Sequence, residues 1–496
     1  MRPSAAPRPA FAWLPVSLVS LAAVAVLFLV ANRYGFHRDE LYFVVAGRHP
    51  DWGYVDQPPL TPLYSAWITS QLGLTPLALR ILPAISTAAV MALTAAMARE
   101  YGGSTRAQAL AAVTVALSVG LGLGHLDSTA TYDVLAWTAI SWLVIRLLNG
   151  ADRRLWLVAG LVAGIGLQNK HLVVLLAIGI AIGLVLSRRW EILRSGWAWA
   201  GIGLAALVWL PNLVWQSLNG FPQLGMSAVV ASRSSLEDVL MVLPFQLIMA
   251  GPFLWPVFLA GLWWLLRSPQ AAPWRTIGWA YLAVLLITML VRGQLYYPAG
   301  LFPALMAAGG LVLDRWLDRG HRRLRATFTG LAAAASGAAI AVIMLPLLPP
   351  ATLATTPVPG IYAEAGEQIG WPELVETVTR AVDELPAEQR DRAAILTANY
   401  GEAGALTLLG SDLPPVYSGH NSFATWGPPP DSLDVVILVG FRDPQRLAAQ
   451  LGPCRQLATI VNAAGIRNQE WGASVWVCDQ PRTRWSEIWD EVAFYG

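Results

Sequence analysis

Four carboxylates crowd one short stretch of this chain: Asp39-Glu40, then Asp51 and Asp56, with Gln57-Pro58-Pro59-Leu60 directly after. Tyr42, Phe43, Trp52 and Tyr54 are interleaved with them. At a membrane–water boundary such a carboxylate can act as general base toward a hydroxyl, provided partial desolvation brings its pKa toward the working pH. The plainer account is a solvated acidic loop after a helix. A second group holds His125, Asp127 and Asp133. A carboxylate there could orient an acceptor or share a metal; Asp133 is equally explained as the acidic N-terminal end of a helix, where the dipole favours negative charge. The cations that stand out are Lys170, beside His171, and Arg292, shortly before Tyr296-Tyr297. Of 33 Lys and Arg residues, Lys170 is the single lysine. Arginine serves wherever bulk charge suffices, so one lysine suggests a compact point donor. A cation near hydrocarbon needs an anionic partner. A phosphate fits, with Tyr296 and Tyr297 adding hydrogen bonds; snorkelling to headgroups or pairing with Asp or Glu would also serve.

The elements that must hold these groups are mostly membrane helices. The chain is 55% hydrophobic and only 13% charged, about half the charge of a soluble domain. Residues 1–350 hold 24 basic and 13 acidic residues; residues 351–496 hold 9 and 18. The overall +2 therefore averages two opposite regions and gives no reason to expect nucleic acid. The 23 tryptophans exclude disorder, and two cysteines exclude a disulfide-dense scaffold. Eleven segments read as spans: 11–31, 79–98, 107–123, 131–148, 155–169, 171–187, 197–211, 240–266, 276–291, 296–313 and 327–348. The first reads as a retained anchor. With the N-terminus inside, Arg2, Arg8, Arg99, Arg106, Arg146, Arg153, Arg154, Arg188, Arg189, Arg194 and the arginines of 267–275 and 315–325 face the cytoplasm. The outer side keeps Arg33, Arg38, Arg48, Arg80, Lys170, Arg233 and Arg292. The run 155–187, broken only at Gln168-Asn169-Lys170-His171, is too long for one crossing, so it should go out and return with Lys170 at its outer tip. The first outer loop, 32–78, should form short helices along the interface, anchored by Tyr and Trp. A second outer segment is read at 212–239.

Composition shifts after Pro349-Pro350, as at a linker. Helices are expected over 364–385, 401–409 and 444–451, and strands over 394–397, 434–439 and 474–478. The alternation suggests a small α/β domain over 351–496, outside the membrane. Cys454 and Cys478 lie in it, where the compartment permits a disulfide; two unrelated buried thiols are the alternative. Gly401-Glu402-Ala403-Gly404-Ala405 resembles half of a nucleotide-binding glycine pattern, without the full spacing.

Residues 37–60 resemble the first outer loop of the GT-C membrane glycosyltransferases, in the branch of the protein O-mannosyltransferases and lipid A aminoarabinose transferases. Asp39-Glu40, Tyr42, Trp52 and Asp56-Gln57-Pro58-Pro59-Leu60 carry the resemblance. Leu167-Gln168-Asn169-Lys170, Tyr296-Tyr297-Pro298 with Pro303, and, in bacterial family-39-type members, Asn399–Ala405 with Ser418-Gly419-His420-Asn421 add to it. The resemblance implies a polytopic catalytic domain over 1–350. It also implies inverting transfer of a sugar from a polyprenyl-phosphate donor to a lipid, glycan or protein acceptor at the outer face of the cytoplasmic membrane. Asp39 would be the base and Glu40 its support. In the aminoarabinose branch a lysine binds phosphate where this chain has Gln57; Lys170, Arg292 and Gln57, with Asp56, His125, Asp133, His171, Tyr296 and Tyr297 around the substrates, are the expected replacements. Some members need a divalent cation and others do not, and His125, Asp133 and Asp39 lack diagnostic ligand spacing. A transporter or flippase for a lipid-linked sugar is the competing class. It would place charge near the midplane and show two similar halves, whereas the clearest acids here lie at the outer boundary.

Overall fold

The computed structural model describes residues 8–479 and 482–496; Arg2 lies outside them. The chain divides into two compact units. The first comprises residues up to Leu29, Arg80–Gly220 and Val230–Leu345; the second comprises Val30–Leu79, Phe221–Val229 and Pro346–Gly496. The first outer loop, grouped by sequence with the membrane part, thus packs with the C-terminal residues.

Among the described residues seven helices are long and apolar enough to cross a membrane: Trp13–Val30, Pro76–Glu100, Thr129–Leu148, Gly196–Leu218, Pro269–Leu290, Tyr297–Leu317 and Arg322–Met344. Leu155–Leu167 and Leu172–Leu186 are shorter apolar helices, separated at residues 168–171 where the sequence interrupts its apolar run. This is the polytopic α-helical architecture expected, with a small sheet in the C-terminal part.

Three expected spans end differently. The stretch 107–123 is a helix over Thr105–Ala116, followed by a short one over Val119–Leu123 whose N-cap Ser118 accepts from Gly120 N. The 240–266 segment breaks into Leu236–Met249 and Trp255–Arg267. Gly251 sits at φ +107° in the break and Pro252 follows, a pair that stops a helix because proline cannot donate and left-handed backbone favours glycine. Conversely, the helix read as 197–211 continues through Pro211 to Leu218. One missing hydrogen bond is tolerated where neighbouring helices re-satisfy the backbone. In this unit Leu155–Leu167 packs on Gly196–Leu218 through paired small residues. A Cβ on Gly160 would lie 2.1 Å from the Gly201 carbonyl oxygen, so only glycine permits that approach.

The second unit is built on a five-stranded sheet. Its strands are β1 Ala393–Thr397, β2 Val416–Ser418, β3 Val435–Val439, β4 Cys454–Thr459 and β5 Ser474–Asp479, in the order β2-β1-β3-β5-β4. β1 pairs in parallel with β2 and β3, and β5 runs antiparallel to β3 and β4. β1 and β3 are buried throughout, and their alternate side chains feed two cores. Ala393, Ile395, Val435, Ile437 and Val439 pack with Trp371, Leu374 and Val378 of the helix Trp371–Asp383. Leu396, Val436 and Leu438 pack with Trp485, Ile488 and Trp489. Cys454 and Cys478 face each other in register on β4 and β5 and are joined by a disulfide.

The first-loop helix Arg38–Arg48 packs inside the second unit. It is buried in this unit, with Leu41 and Val44 in the sheet core and Tyr42, Phe43 and Val45 against Ala403 and Phe423. It packs on Tyr400–Leu409, where a Cβ on Gly401 would lie 2.8 Å from Arg38 Cβ and one on Gly404 would lie 3.0 Å from Leu41 Cβ. The glycines of 401–405 therefore face one helix flank three residues apart. They admit a neighbouring helix and hold no nucleotide pattern.

Candidate active site

Asp39 sits in the first turn of helix Arg38–Arg48 because His37 caps it. The His37 Nδ1 accepts from Asp39 N at 3.2 Å, and Glu40 Oε2 accepts from His37 N at 2.8 Å, the reciprocal pattern of a capping box. Glu40 is fully buried, and that carboxylate closes the helix start. The other side of the His37 ring bonds Glu364 Oε2 at 2.5 Å. Burial pulls the His37 pKa down, but the Glu364 hydrogen bond and the Asp39 and Glu364 charges outweigh it and leave it above its ordinary value. Burial acts against ionisation of Glu364, and the bond and charge of His37 overcome it, so its pKa is lowered.

The Asp39 side chain is 35% exposed. Its Oδ1 accepts from the Tyr400 hydroxyl at 2.8 Å, while Oδ2 lies 3.9 Å from His37 Nδ1, beyond a hydrogen bond. Burial and then the Asp39 charge push the Tyr400 pKa well above the phenolic value, so it stays a donor. Asp56 accepts from the Tyr42 hydroxyl at 2.7 Å. Burial drives the Asp56 pKa up to about 7 against that bond. Gln57 is buried, and its Nε2 meets no acceptor among the described residues. Asp39, Glu40, Asp56 and Gln57 thus belong to the second unit.

The remaining candidates belong to the first unit, and they fall into separate groups. Lys170 Nζ lies 3.3 Å from the Tyr296 hydroxyl and 5.0 Å from its ring centroid. Tyr297 packs edge-on against Tyr296 at 5.3 Å. Asp133 and Tyr297 act on Lys170 electrostatically, and Asp133 Oδ1 accepts from Trp137 Nε1 at 3.1 Å. Lys170, Asp133, Tyr296 and Tyr297 form one cluster. His171 turns to the helix Gly196–Leu218, with its Nε2 2.9 Å from Asn212 Oδ1 and 3.2 Å from Trp209 Nε1. Arg292 occupies an exposed turn at φ +52°; its carbonyl accepts from the Ser234 hydroxyl at 3.2 Å, and its guanidinium reaches the Ser234 carbonyl at 3.5 Å. His125 is buried with its Nε2 3.3 Å from Arg80 Nη1, and Asp127 accepts from the Tyr132 hydroxyl at 2.5 Å. Among the described residues no three His, Cys, Asp or Glu side chains gather as a metal site.

Sequence reasoning missed four partners: Tyr400, Tyr42 in its bonding role, Glu364 and Arg80. Tyr42 and Tyr400 stand inside recognised motifs, but their hydroxyls bond acids 14 and 361 positions away. Arg80 was counted only as a topology signal, yet it is 1% exposed, which no spacing rule reveals.

Residues 56–215 match the family model described as dolichyl-phosphate-mannose-protein mannosyltransferase. The chain is similar to the crystal structure of ArnT from Cupriavidus metallidurans bound to undecaprenyl phosphate, with a TM-score of 0.61 and 15% identity over 94% of this chain and 98% of that one. The same protein in its apo state gives 0.60 and 14%, over 94% and 97%. Arabinofuranosyltransferase AftD from Mycobacteria gives 0.51 and 14% over 96% of this chain, which spans 42% of that longer one. No curated protein matches the sequence. The chain is a multi-pass membrane protein with the fold of the GT-C glycosyltransferases. Within that fold its likeness is to the ArnT and protein-mannosyltransferase type.

Proposed function

We propose that this protein transfers a sugar from a polyprenyl-phosphate carrier to an acceptor hydroxyl, with inversion, at the outer face of the cytoplasmic membrane. The N-terminus lies inside and residues 351–496 outside. Asp39 takes the proton as the acceptor oxygen bonds the anomeric carbon. The bond from that carbon to the phosphate oxygen breaks on the opposite side, and the carrier phosphate leaves with the electron pair. Gln57, in the same unit as Asp39, offers its amide to the phosphate, and within the first unit Lys170, steadied by Tyr296, is the candidate cation for a lipid phosphate. The observation that carries this reading is the state of Asp39: a partly exposed carboxylate with one oxygen held by Tyr400 and the other unbonded by any described residue. The family match over residues 56–215 and the fold support the choice of donor class.

The experiment is transfer by purified protein in lipid nanodiscs. Tritiated undecaprenyl-phosphate mannose, glucose and arabinose are offered with envelope lipids, glycans or peptides as acceptors. Asp39→Asn should lower turnover by roughly 10²–10⁴-fold. Undiminished transfer by Asp39→Asn refutes the base assignment.

A further inference from the structure

Among the described C-terminal residues, Tyr400 hydrogen-bonds the proposed base. Tyr400 opens the helix Tyr400–Leu409, whose start is fixed on both sides. The Asn399 side chain accepts from Glu402 N at 3.0 Å, and Glu402 Oε2 accepts from Asn399 N at 3.2 Å. Such a reciprocal cap pins the first turn. The Tyr400 ring is held as firmly. It packs at a tilt against Tyr42 at 4.8 Å and against His420 at 4.7 Å, and the Arg38 guanidinium lies 5.6 Å from its centroid. Its amide donates to His420 Nδ1 at 3.4 Å. The hydroxyl thus presented meets Asp39 Oδ1 at 2.8 Å.

We propose that Tyr400 is a positioning residue for Asp39: its hydroxyl fixes Oδ1 and leaves Oδ2 to receive the acceptor's proton. The proposal rests on the reading of Asp39 as base. Tyr400 keeps its own proton throughout, and the proton from the acceptor ends on Asp39. The reason to hold one oxygen is geometric. A carboxylate free to rotate about χ2 has a broad torsional well, and a misplacement of about 1 Å at a reacting group can cost about 10²-fold in rate. The same device recurs beside it, where the Tyr42 hydroxyl holds Asp56 at 2.7 Å and the two tyrosine rings pack at a tilt. Residues 351–496 would then complete the site for the first-loop acid as well as filling a separate core.

The test uses the full-length protein in nanodiscs with Tyr400→Phe, which keeps the packed ring and removes only the hydroxyl. Two quantities are read. The first is the rate of carbodiimide labelling at Asp39 at pH 6, followed by peptide mass spectrometry. It should rise about threefold, because an oxygen no longer bonded by Tyr400 is free to pick up the proton that activation requires. The second is kinetics with whichever tritiated undecaprenyl-phosphate sugar the wild type turns over. Here kcat should fall on the order of 10-fold, with the donor KM within about twofold, the signature of an interaction used in the transition state. Unchanged labelling overturns the proposal whether or not any donor reacts. Faster labelling with unchanged kcat, or a raised KM with unchanged kcat, also overturns it. Faster labelling when the wild type transfers no sugar sinks the transferase reading, and the positioning role with it, while the Tyr400–Asp39 bond stands. Should Tyr400→Phe fail to fold, 3-fluorotyrosine at position 400 keeps the shape and strengthens the donor. Labelling should then slow, and labelling at the wild-type rate rejects the proposal.

Discussion

Tyr42 and Asp56 meet hydroxyl to carboxylate at 2.7 Å across 14 positions of one loop, and the bond does not keep the acid ionised. Burial raises the Asp56 pKa to about 7, with the Asp39 charge adding to it, and the Tyr42 hydroxyl only partly offsets this. An ordinary aspartate carboxyl lies at 3.8, so between about pH 4 and 7 the folded chain keeps a proton that the unfolded chain has lost. Stability from this group is complete below that window and declines as pH rises through it.

Asp56→Asn should therefore flatten the dependence of unfolding temperature on pH between 4 and 7. The variant should be more stable than wild type at pH 8 by on the order of 1–2 kcal/mol, discounted because Asp56 is only half-buried by exposed area. Thermal unfolding of the detergent-solubilised protein at pH 5 and pH 8 checks this. An equal pH slope in wild type and variant would show that Asp56 does not carry the proton.

A second proton sits deeper in the same unit. Glu402 and Glu470 are both buried, and burial first, then the charge of nearby carboxylates, raises both pKa values. Glu402 has the backbone amides of Ala398 and Asn399, whereas neither carboxylate oxygen of Glu470 finds a hydrogen-bond partner among the described residues. Raised acids again favour the fold at low pH and lose that contribution as pH climbs through their folded values. Glu470→Gln should raise the unfolding temperature at pH 8 by several degrees and change it little at pH 5. A loss of stability at both pH values would mean that the ionised form is the one the fold requires.

How far the sequence reaches depends on whether a feature is local. β1 and β3 announce themselves as short apolar runs, Ala393–Thr397 and Val435–Val439, because central parallel strands are buried on both faces. β4 is an edge strand with Arg455 and Gln456 exposed, so it carries no such run, and β2 is only three residues long. The interruption at 168–171 was legible because a polar tetrad inside a largely apolar run of 33 residues has one simple explanation. The break at Gly251-Pro252 and the continuation through Pro211 were not, since proline ends one helix and is tolerated in another according to its neighbours. The acids of the first loop were visible as a composition anomaly. Their hydrogen-bond partners were not, because Asp39 and Tyr400 are 361 positions apart and only the packing of two helices brings them together. Arg292 is a case where the sequence showed the residue and not its neighbours. Scarcity of outer arginines marked it with Lys170, yet its bonds go to the Ser234 backbone and hydroxyl.

Lys170 itself stays a candidate for the phosphate, on grounds of geometry in addition to rarity. Its ammonium is 3.3 Å from the Tyr296 hydroxyl and faces that ring at 5.0 Å, which orients it without cancelling its charge. As the single lysine of the chain, it should supply much of the attraction for a carrier phosphate. Lys170→Ala should weaken binding of undecaprenyl phosphate and lower kcat/KM by on the order of 100-fold, the loss expected for one charge-assisted contact that strengthens toward the transition state. Lys170→Arg should recover less than a tenth of it, because a planar guanidinium cannot replace a compact donor seated against Tyr296. Removing the cation partner instead, Tyr296→Phe keeps the ring and the attraction of its face while losing the hydroxyl, so its defect should be the smaller, within about tenfold. Carrier binding measured by tryptophan quenching, alongside transfer, separates these cases. Wild-type affinity in Lys170→Ala would move the phosphate site elsewhere in the molecule.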